Sequence, residues 1–288
     1  MRTFEYHETS TLDEALALLR AHGGDATPIA GGTSLVLMMK QGLVQPEVVV
    51  DLRRIDALRG IRTTADGGLE IGALETHRAI ETSPVVRAFC PALAQTFSRI
   101  ATVRIRNQAT LGGNLVHADP AQDPPPMLLA LDAQAVVASP DGERIVPLAE
   151  FFVDYFETAL HEGELLRLVR IPPLPAGARV TYTKFLPRTE DDYATVAIAA
   201  FLVLDDDGRC RDVRLGLGSL GTTPLRARAV EDALRGQVLT PTLIDDAAAL
   251  VREEVDPLDD VRGSAEYKRE MARVWTARTL SGLIRRAA

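Results

Sequence analysis

The chain has 288 residues, 46% of them apolar, with 40 acidic side chains against 32 Lys and Arg for a net charge of -8. That length can bury a substantial core divided into two or three structural units. The acidic balance, with a pI near 5.2, excludes long-range attraction to nucleic acid or anionic membranes. No run approaches the roughly 20 apolar residues of a membrane span, and the opening MRTFEYHETST lacks a signal peptide's apolar core, so the cytoplasm is the expected location. Cys90 and Cys210 lie far apart without CxxC spacing, and the five histidines form no HxxxH or HxH group. A disulfide framework, a zinc site or an iron–sulfur site built from this chain alone is excluded, and no metal is expected.

Along the chain, Thr11 and Glu14 form a capping box for a helix over Thr11 to Ala21, with Leu12, Ala15, Leu16 and Leu19 on its apolar face and Gly23-Gly24 as its stop. ATPIA then reads as a strand running into Gly31-Gly32, SLVLMMKQG as a helix, and VVVDL at 48–52 as a strand. LEIGAL at 69–74 alternates as a strand, and the helical pattern from Thr76 to about Ala101 is broken by Pro84 and Pro91. The three prolines after Asp123 predict an extended, ordered loop before the apolar run MLLALDAQAVVA. LLRLVRIP at 165–172 is a further strand, and PPLPAGA at 172–178 is the best boundary between two regions. Beyond it RVTYTKF, TVAIAAFLVL and RDVRLGLGSLG read as strands, the last two joined as an antiparallel hairpin by DDDGR. RARAVEDALRG and the terminal YKREMARVWTARTLSGLIRRAA read as helices covering that sheet.

Two stretches stand out, AGGTSL at 30–35 and TLGGNL at 110–115. A phosphate-binding loop needs N–H groups converging on one point, which left-handed or mixed backbone conformations provide and glycine adopts without strain. Gly31 and Gly32 would supply that freedom, Thr33 and Ser34 hydroxyl donors, and a helix starting near Leu35 its positive end. Thr110, Gly112, Gly113 and Asn114 repeat the recipe, and two donor-rich segments suit a diphosphate. Neither matches GxGxxG or GxxxxGK[ST]. Singly, each reads more readily as a plain tight turn; the pair points to a ligand.

With these residues in view the chain resembles, nearly end to end, the FAD-binding medium subunit of the molybdenum hydroxylases, of the carbon monoxide dehydrogenase and xanthine dehydrogenase type. The resemblance rests on AGGTSL, VVDLRRI, LEIGALETH, VRIRNQATLGGNLVHADPAQD, GELLRLVRIP, KFLPRTEDDYA and RGSAEYKR, in that order. It implies an α+β fold: an FAD-binding domain of the vanillyl-alcohol oxidase type with two α/β subdomains over 1–175, and a C-terminal domain over 176–288 built on a three-stranded antiparallel sheet with helices. It implies that Ala30 to Leu35 and Thr110 to Asn114 hold the FAD pyrophosphate. Asp123 is implied as an acidic contact able to accept hydrogen bonds from ribose or ribityl hydroxyls, Leu166 as apolar packing and Lys184 as a cation near the ring or phosphate. RTEDDY at 188–193 matches a segment beside the isoalloxazine, where Tyr193 would lie on the ring and Asp191 and Asp192 would bring negative charge. Ile100 falls where the family often has an aromatic residue.

The resemblance further implies partners: a small subunit with [2Fe-2S] clusters and a molybdopterin large subunit, with FAD passing electrons to NAD, a quinone or oxygen. The residues hold no Ser/His/Asp or Cys/His constellation that would compete with that role. A self-contained flavoprotein oxidoreductase acting on a small molecule, and a scaffold that has lost its flavin, remain the two alternatives.

Overall fold

A computed structural model describes residues 2–186, 189 and 191–285. The chain opens with strand Glu5–Glu8 and helix Leu12–His22. Thr11 caps the helix, its Oγ1 accepting from the Glu14 N–H at 3.2 Å, while the Glu14 carboxylate reaches back to the Ser10 N–H at 2.9 Å. The reciprocal bond therefore lands one residue outside the expected box. Gly23, at φ 53°, ends the helix. Strand Ala26–Ile29, helix Leu35–Gln41 and strand Val48–Asp51 follow as the sequence predicts. The two strands pair in parallel, and Glu5–Glu8 pairs in parallel on the other side of Val48–Asp51, giving a three-stranded sheet. Ala15, Leu16 and Leu19 bury the first helix with Val48 and Val50.

A second, five-stranded antiparallel sheet has the order Ile61–Thr63, Leu69–Gly72, Leu165–Ile171, Gln134–Ser139, Gly142–Pro147. Helices His77–Thr82, Pro84–Phe89 and Pro91–Ser98 pack against it, with Pro84 and Pro91 as the first residues of their helices. Two expectations fail in this region. The second glycine pair lies inside helix Leu111–His117, not in a loop. The triple proline opens helix Pro124–Ala130 instead of holding the backbone extended. Proline lacks an N–H, but the first-turn N–H groups of a helix have no intrahelical acceptor, and proline's fixed φ is already helical. Burial of every residue from Pro124 to Ala130 supplies the driving force.

The third sheet carries strands Arg179–Phe185, Val196–Leu204 and Cys210–Gly218, antiparallel as expected. It has four strands and not three, because the two-residue strand Leu225–Arg226 pairs with Gly216 and Leu217. Helices Arg228–Leu234, Pro241–Ala249, Val251–Glu254 and Ala265–Arg285 follow it. Strand Val196–Leu204 alternates between two cores: Val196, Ile198, Ala200 and Leu202 join the helices behind the sheet, while Ala199, Phe201 and Val203 join the core of the preceding sheet. Burial on both faces is why this segment reads as an unbroken apolar run. Cys90 and Cys210 are both buried and free. Among the described residues no helix is long and apolar enough to cross a membrane.

The proline helix docks on this third sheet at Gly216, where a Cβ would lie 1.9 Å from the Pro126 carbonyl oxygen. Gly216→Ala is therefore expected to force the helix off the strand and cost about 3 kcal/mol. A lowered urea midpoint with an unchanged m-value checks this.

Candidate functional site

A cleft of about 860 Å³ opens between the first glycine segment and helix Leu111–His117. Of the sequence-predicted residues, Ala30, Gly31, Gly32, Thr33, Ser34, Leu35, Thr110, Gly113, Asn114, Asp123, Lys184 and Tyr193 line it, as do Ile100, Asp191 and Asp192. Gly112 and Leu166 do not form its wall: Gly112 is buried behind it, and Leu166 lies in the core on strand Leu165–Ile171, opposite Val137. Within RTEDDY, Arg188 and Glu190 lie outside the described residues.

The first glycine segment touches the residues just before the second. A Cβ on Gly31 would sit 2.2 Å from the Gln108 carbonyl oxygen and 3.0 Å from the Ala109 Cα, and the Gln108 side-chain amide donates to the Gly31 carbonyl at 2.8 Å. Gly112 meets Ala73 in the same way: its N–H donates to the Ala73 carbonyl at 2.8 Å, and a Cβ would lie 2.9 Å from that oxygen. Close approach, not left-handed backbone, is thus the requirement at Gly31 and Gly112. Of the four glycines only Gly32 has a positive φ, 69°.

The symmetry of the two segments also fails at their amides. In the second segment Leu111 N–H donates to Glu75 O, Gly112 to Ala73 O, Gly113 to Thr110 Oγ1 and Asn114 to Thr110 O. Those donors are spent on capping a helix and tying it to its neighbours. In the first segment the N–H groups of Gly31, Gly32, Thr33 and Ser34 and the two hydroxyls have no hydrogen-bond partner among the described residues. The unengaged main-chain donors are therefore those of Gly31 to Ser34, while the N–H groups of Leu111 to Asn114 are engaged within the protein.

Asp123 and Lys184 form a buried ion pair at 3.0 Å with side-chain exposures of 5% and 2%. The Tyr182 hydroxyl donates to the other Asp123 oxygen at 2.5 Å, and the Lys184 ammonium also donates to the Arg99 carbonyl at 2.9 Å. Burial pushes the Asp123 carboxyl above its usual range against the pull of Lys184 and Tyr182. Burial and the adjacent Asp123 charge raise the Tyr182 phenol well above its usual value. Both carboxylate oxygens of Asp123 thus already accept from the protein, so a sugar hydroxyl can use only their remaining lone pairs. Sequence reasoning placed Asp123 and Lys184 separately and missed that they neutralise each other.

It also missed His77 and Gln122, which line the cleft although both belong to the quoted blocks LEIGALETH and VRIRNQATLGGNLVHADPAQD. His77 Nδ1, Gln122 Oε1 and Asn114 Oδ1 are buried without a hydrogen-bond partner among the described residues. Burial, aided by the Arg106 charge, lowers the His77 pKa to about 3, so its imidazole is neutral at physiological pH. Tyr193 is half-exposed at the cleft, with the Arg262 guanidinium 5.7 Å from its ring centroid. Burial first, and Asp119 second, push its phenol up to about 12.

Residues 2–174 match the family model described as the FAD binding domain in molybdopterin dehydrogenase, and residues 181–283 match the CO dehydrogenase flavoprotein C-terminal domain. The chain belongs to the FAD-binding subunits of the molybdopterin dehydrogenases. It is 38% identical to the carbon monoxide dehydrogenase medium chain of Afipia carboxidovorans, over 96% of each chain. It is 36% identical to the 6-hydroxypseudooxynicotine dehydrogenase complex subunit alpha of Paenarthrobacter nicotinovorans, over 99% of this chain and 96% of that one. Its structure superposes on a chain of the Hydrogenophaga pseudoflava carbon monoxide dehydrogenase with TM-score 0.95, at 37% identity over 99% and 98% of the two chains. This flavoprotein subunit is an oxidoreductase component with FAD as its cofactor. The cleft suits that group: its volume falls in the range of cofactor sites, four residues that line it keep N–H groups without a partner among the described residues, and three buried polar side-chain atoms of lining residues are likewise unpartnered.

Two outcomes follow for the flavoprotein's stability. Lys184→Met strands a buried carboxylate and should cost about 3–5 kcal/mol, most of it regained in the Asp123→Asn/Lys184→Met double variant; urea melts of the three proteins measure this. For His77 the folded pKa lies below the unfolded one, so its stabilising contribution is complete above pH 6.5 and is lost as pH falls from 6.5 towards about 3. His77→Leu should flatten the stability–pH curve in that window by up to about 1.4 kcal/mol per pH unit.

Proposed function

We propose that this chain is the electron-transfer subunit of a heteromeric molybdenum hydroxylase, receiving electrons from the [2Fe-2S] clusters of a small subunit that are in turn fed by a molybdopterin large subunit. NAD, a quinone or oxygen is the final acceptor. Bound FAD supplies the redox chemistry, and the protein's part is to hold it, exclude competing reactions and set the electrostatics around it. We assign residues 1–175 to an FAD-binding domain of the vanillyl-alcohol oxidase type and 176–288 to the C-terminal flavoprotein domain.

The carrying observation is the set of unengaged donors at Gly31, Gly32, Thr33 and Ser34, which suits the FAD diphosphate. Gly32, with φ 69° and with Ile29 and Val36 side-chain atoms at 3.1 and 3.3 Å from an added Cβ, sets the turn that aims them. Thr110 and Gly113 shape the facing wall, and Asn114 offers its side-chain amide. Lys184 is already paired with Asp123, and the other charged lining residues, Asp119, Asp191 and Asp192, are acidic, so the diphosphate's charge is met by dipoles in the first segment. Tyr193 gives an aromatic surface at the exposed side. The relatives are named as subunits of multi-subunit dehydrogenases, which supports the partner assignment.

Titration of the full chain with FAD, followed by quenching of flavin fluorescence, should show saturable binding. Gly32→Val should weaken it at least about tenfold, since a β-branched residue resists φ near +69° and intrudes on the turn. Purification from the native source should bring down iron- and molybdenum-containing companions. A wild-type chain that takes up no FAD, alone or in its complex, ends this reading of the function.

A further inference from the structure

Two side chains of the cleft have not been given a partner in the cofactor. Gln122 is 7% exposed and His77 is 1% exposed, yet each carries a buried polar atom, Oε1 and Nδ1, that no described residue partners. Both residues line the same cleft as the donor-rich first segment. Both are held by structure that fixes them without using those atoms. His77 is the first residue of its helix, directly after the capping Thr76, and its N–H donates to the Ala109 carbonyl at 3.0 Å, which joins it to the second glycine segment. Its ring lies 5.4 Å from that of Phe97. Gln122 is held by its N–H, which donates to the Asp119 carbonyl at 3.2 Å, and it precedes Asp123 of the buried ion pair. A buried polar group left unsatisfied destabilises a fold, and natural proteins leave few of them. That two such groups belong to residues lining one cleft marks the place of a hydrogen-bonding ligand.

We infer that Gln122 and His77 are FAD-contacting residues, two uncharged hydrogen-bonding groups that are satisfied only when the cofactor occupies the cleft, an inference that rests on the cleft being the FAD site. FAD carries complementary groups in quantity: sugar and ribityl hydroxyls, an imide N–H and a purine amino group as donors, and ring nitrogens and carbonyls as acceptors. The Gln122 carbonyl oxygen accepts from such a donor. The His77 Nδ1 pairs with a hydroxyl in whichever tautomer the ring takes, because a hydroxyl both donates and accepts. Neither residue adds charge beside the neutralised Asp123–Lys184 pair, so together they recognise the cofactor by hydrogen-bond pattern.

This role carries a signature that a scaffolding role lacks. Replacing each side chain by an apolar one of similar size removes an unsatisfied group from the FAD-free protein and a hydrogen bond from the FAD-bound one. Gln122→Leu, with Gln122→Met as a second version, and His77→Leu should therefore leave the melting temperature of the FAD-free full chain unchanged or raised. Each should weaken FAD binding about tenfold, and the double variant about a hundredfold. His77→Asn, which returns a hydrogen-bonding atom near the Nδ1 position, should recover most of the affinity. Affinities equal to wild type would mean that water or the protein satisfies these atoms and would overturn the inference, as would an FAD-free chain that melts lower in every version. Wild-type binding with unaltered variants removes this inference alone; absence of wild-type binding removes the functional reading beneath it.

Discussion

The close approach of the Gly31 main chain to the Gln108 and Ala109 main chain is the contact on which the cleft depends. No side chain fits there, so the segment following strand Ala26–Ile29 and the one leading into helix Leu111–His117 are brought together at backbone distance. The Gln108 amide closes the contact by donating to Gly31 O. Gly31 is held at its carbonyl, while its own N–H and those of the next three residues, all in segments that line the cleft, have no partner among the described residues. The amides of one wall are used within the protein; those of the other are not, among the described residues. The division of labour follows from where hydrogen-bond donors are consumed.

A second tie runs from the cleft to the C-terminal sheet. Tyr182 and Lys184 reach from strand Arg179–Phe185 to the carboxylate of Asp123, the residue that precedes the proline helix. That helix packs on the same sheet through Gly216. An ion pair this buried is weak evidence for stability in itself, since desolvation offsets most of the attraction. Its geometric effect is firmer: it ties the C-terminal sheet to the cleft through a carboxylate and an ammonium that compensate each other.

Most of the fold was legible because its signals are local. The Thr11 cap, the alternation in LEIGAL, the DDDGR hairpin and the proline breaks at 84 and 91 all depend on neighbours within a few residues. The failures have the opposite character. The triple proline was read by its local cost, and burial against a sheet some ninety residues later reversed the outcome. Gly112 and Gly113 were read as turn-formers because sequence does not reveal the Ala73 backbone that makes a side chain impossible at 112. Most residues of the cleft were in the quoted blocks, but which donors remain free is a property of the folded hydrogen-bond network. His77 and Gln122 escaped notice for the same reason: an unpaired atom has no signature in one dimension.

Strand Val196–Leu204 acts as a party wall, its alternate side chains furnishing the interiors of two neighbouring rooms. The Pro- and Gly-rich segment at 172–178 marks a change of pattern along the chain, yet severing it would not yield two finished modules. The amino-terminal portion would lose Ala199, Phe201 and Val203 from its interior and present the bare apolar surface they cover. Recombination or dissection at that linker consequently demands a substitute for the missing face, which binds the cofactor-holding half and its companion into one heritable unit.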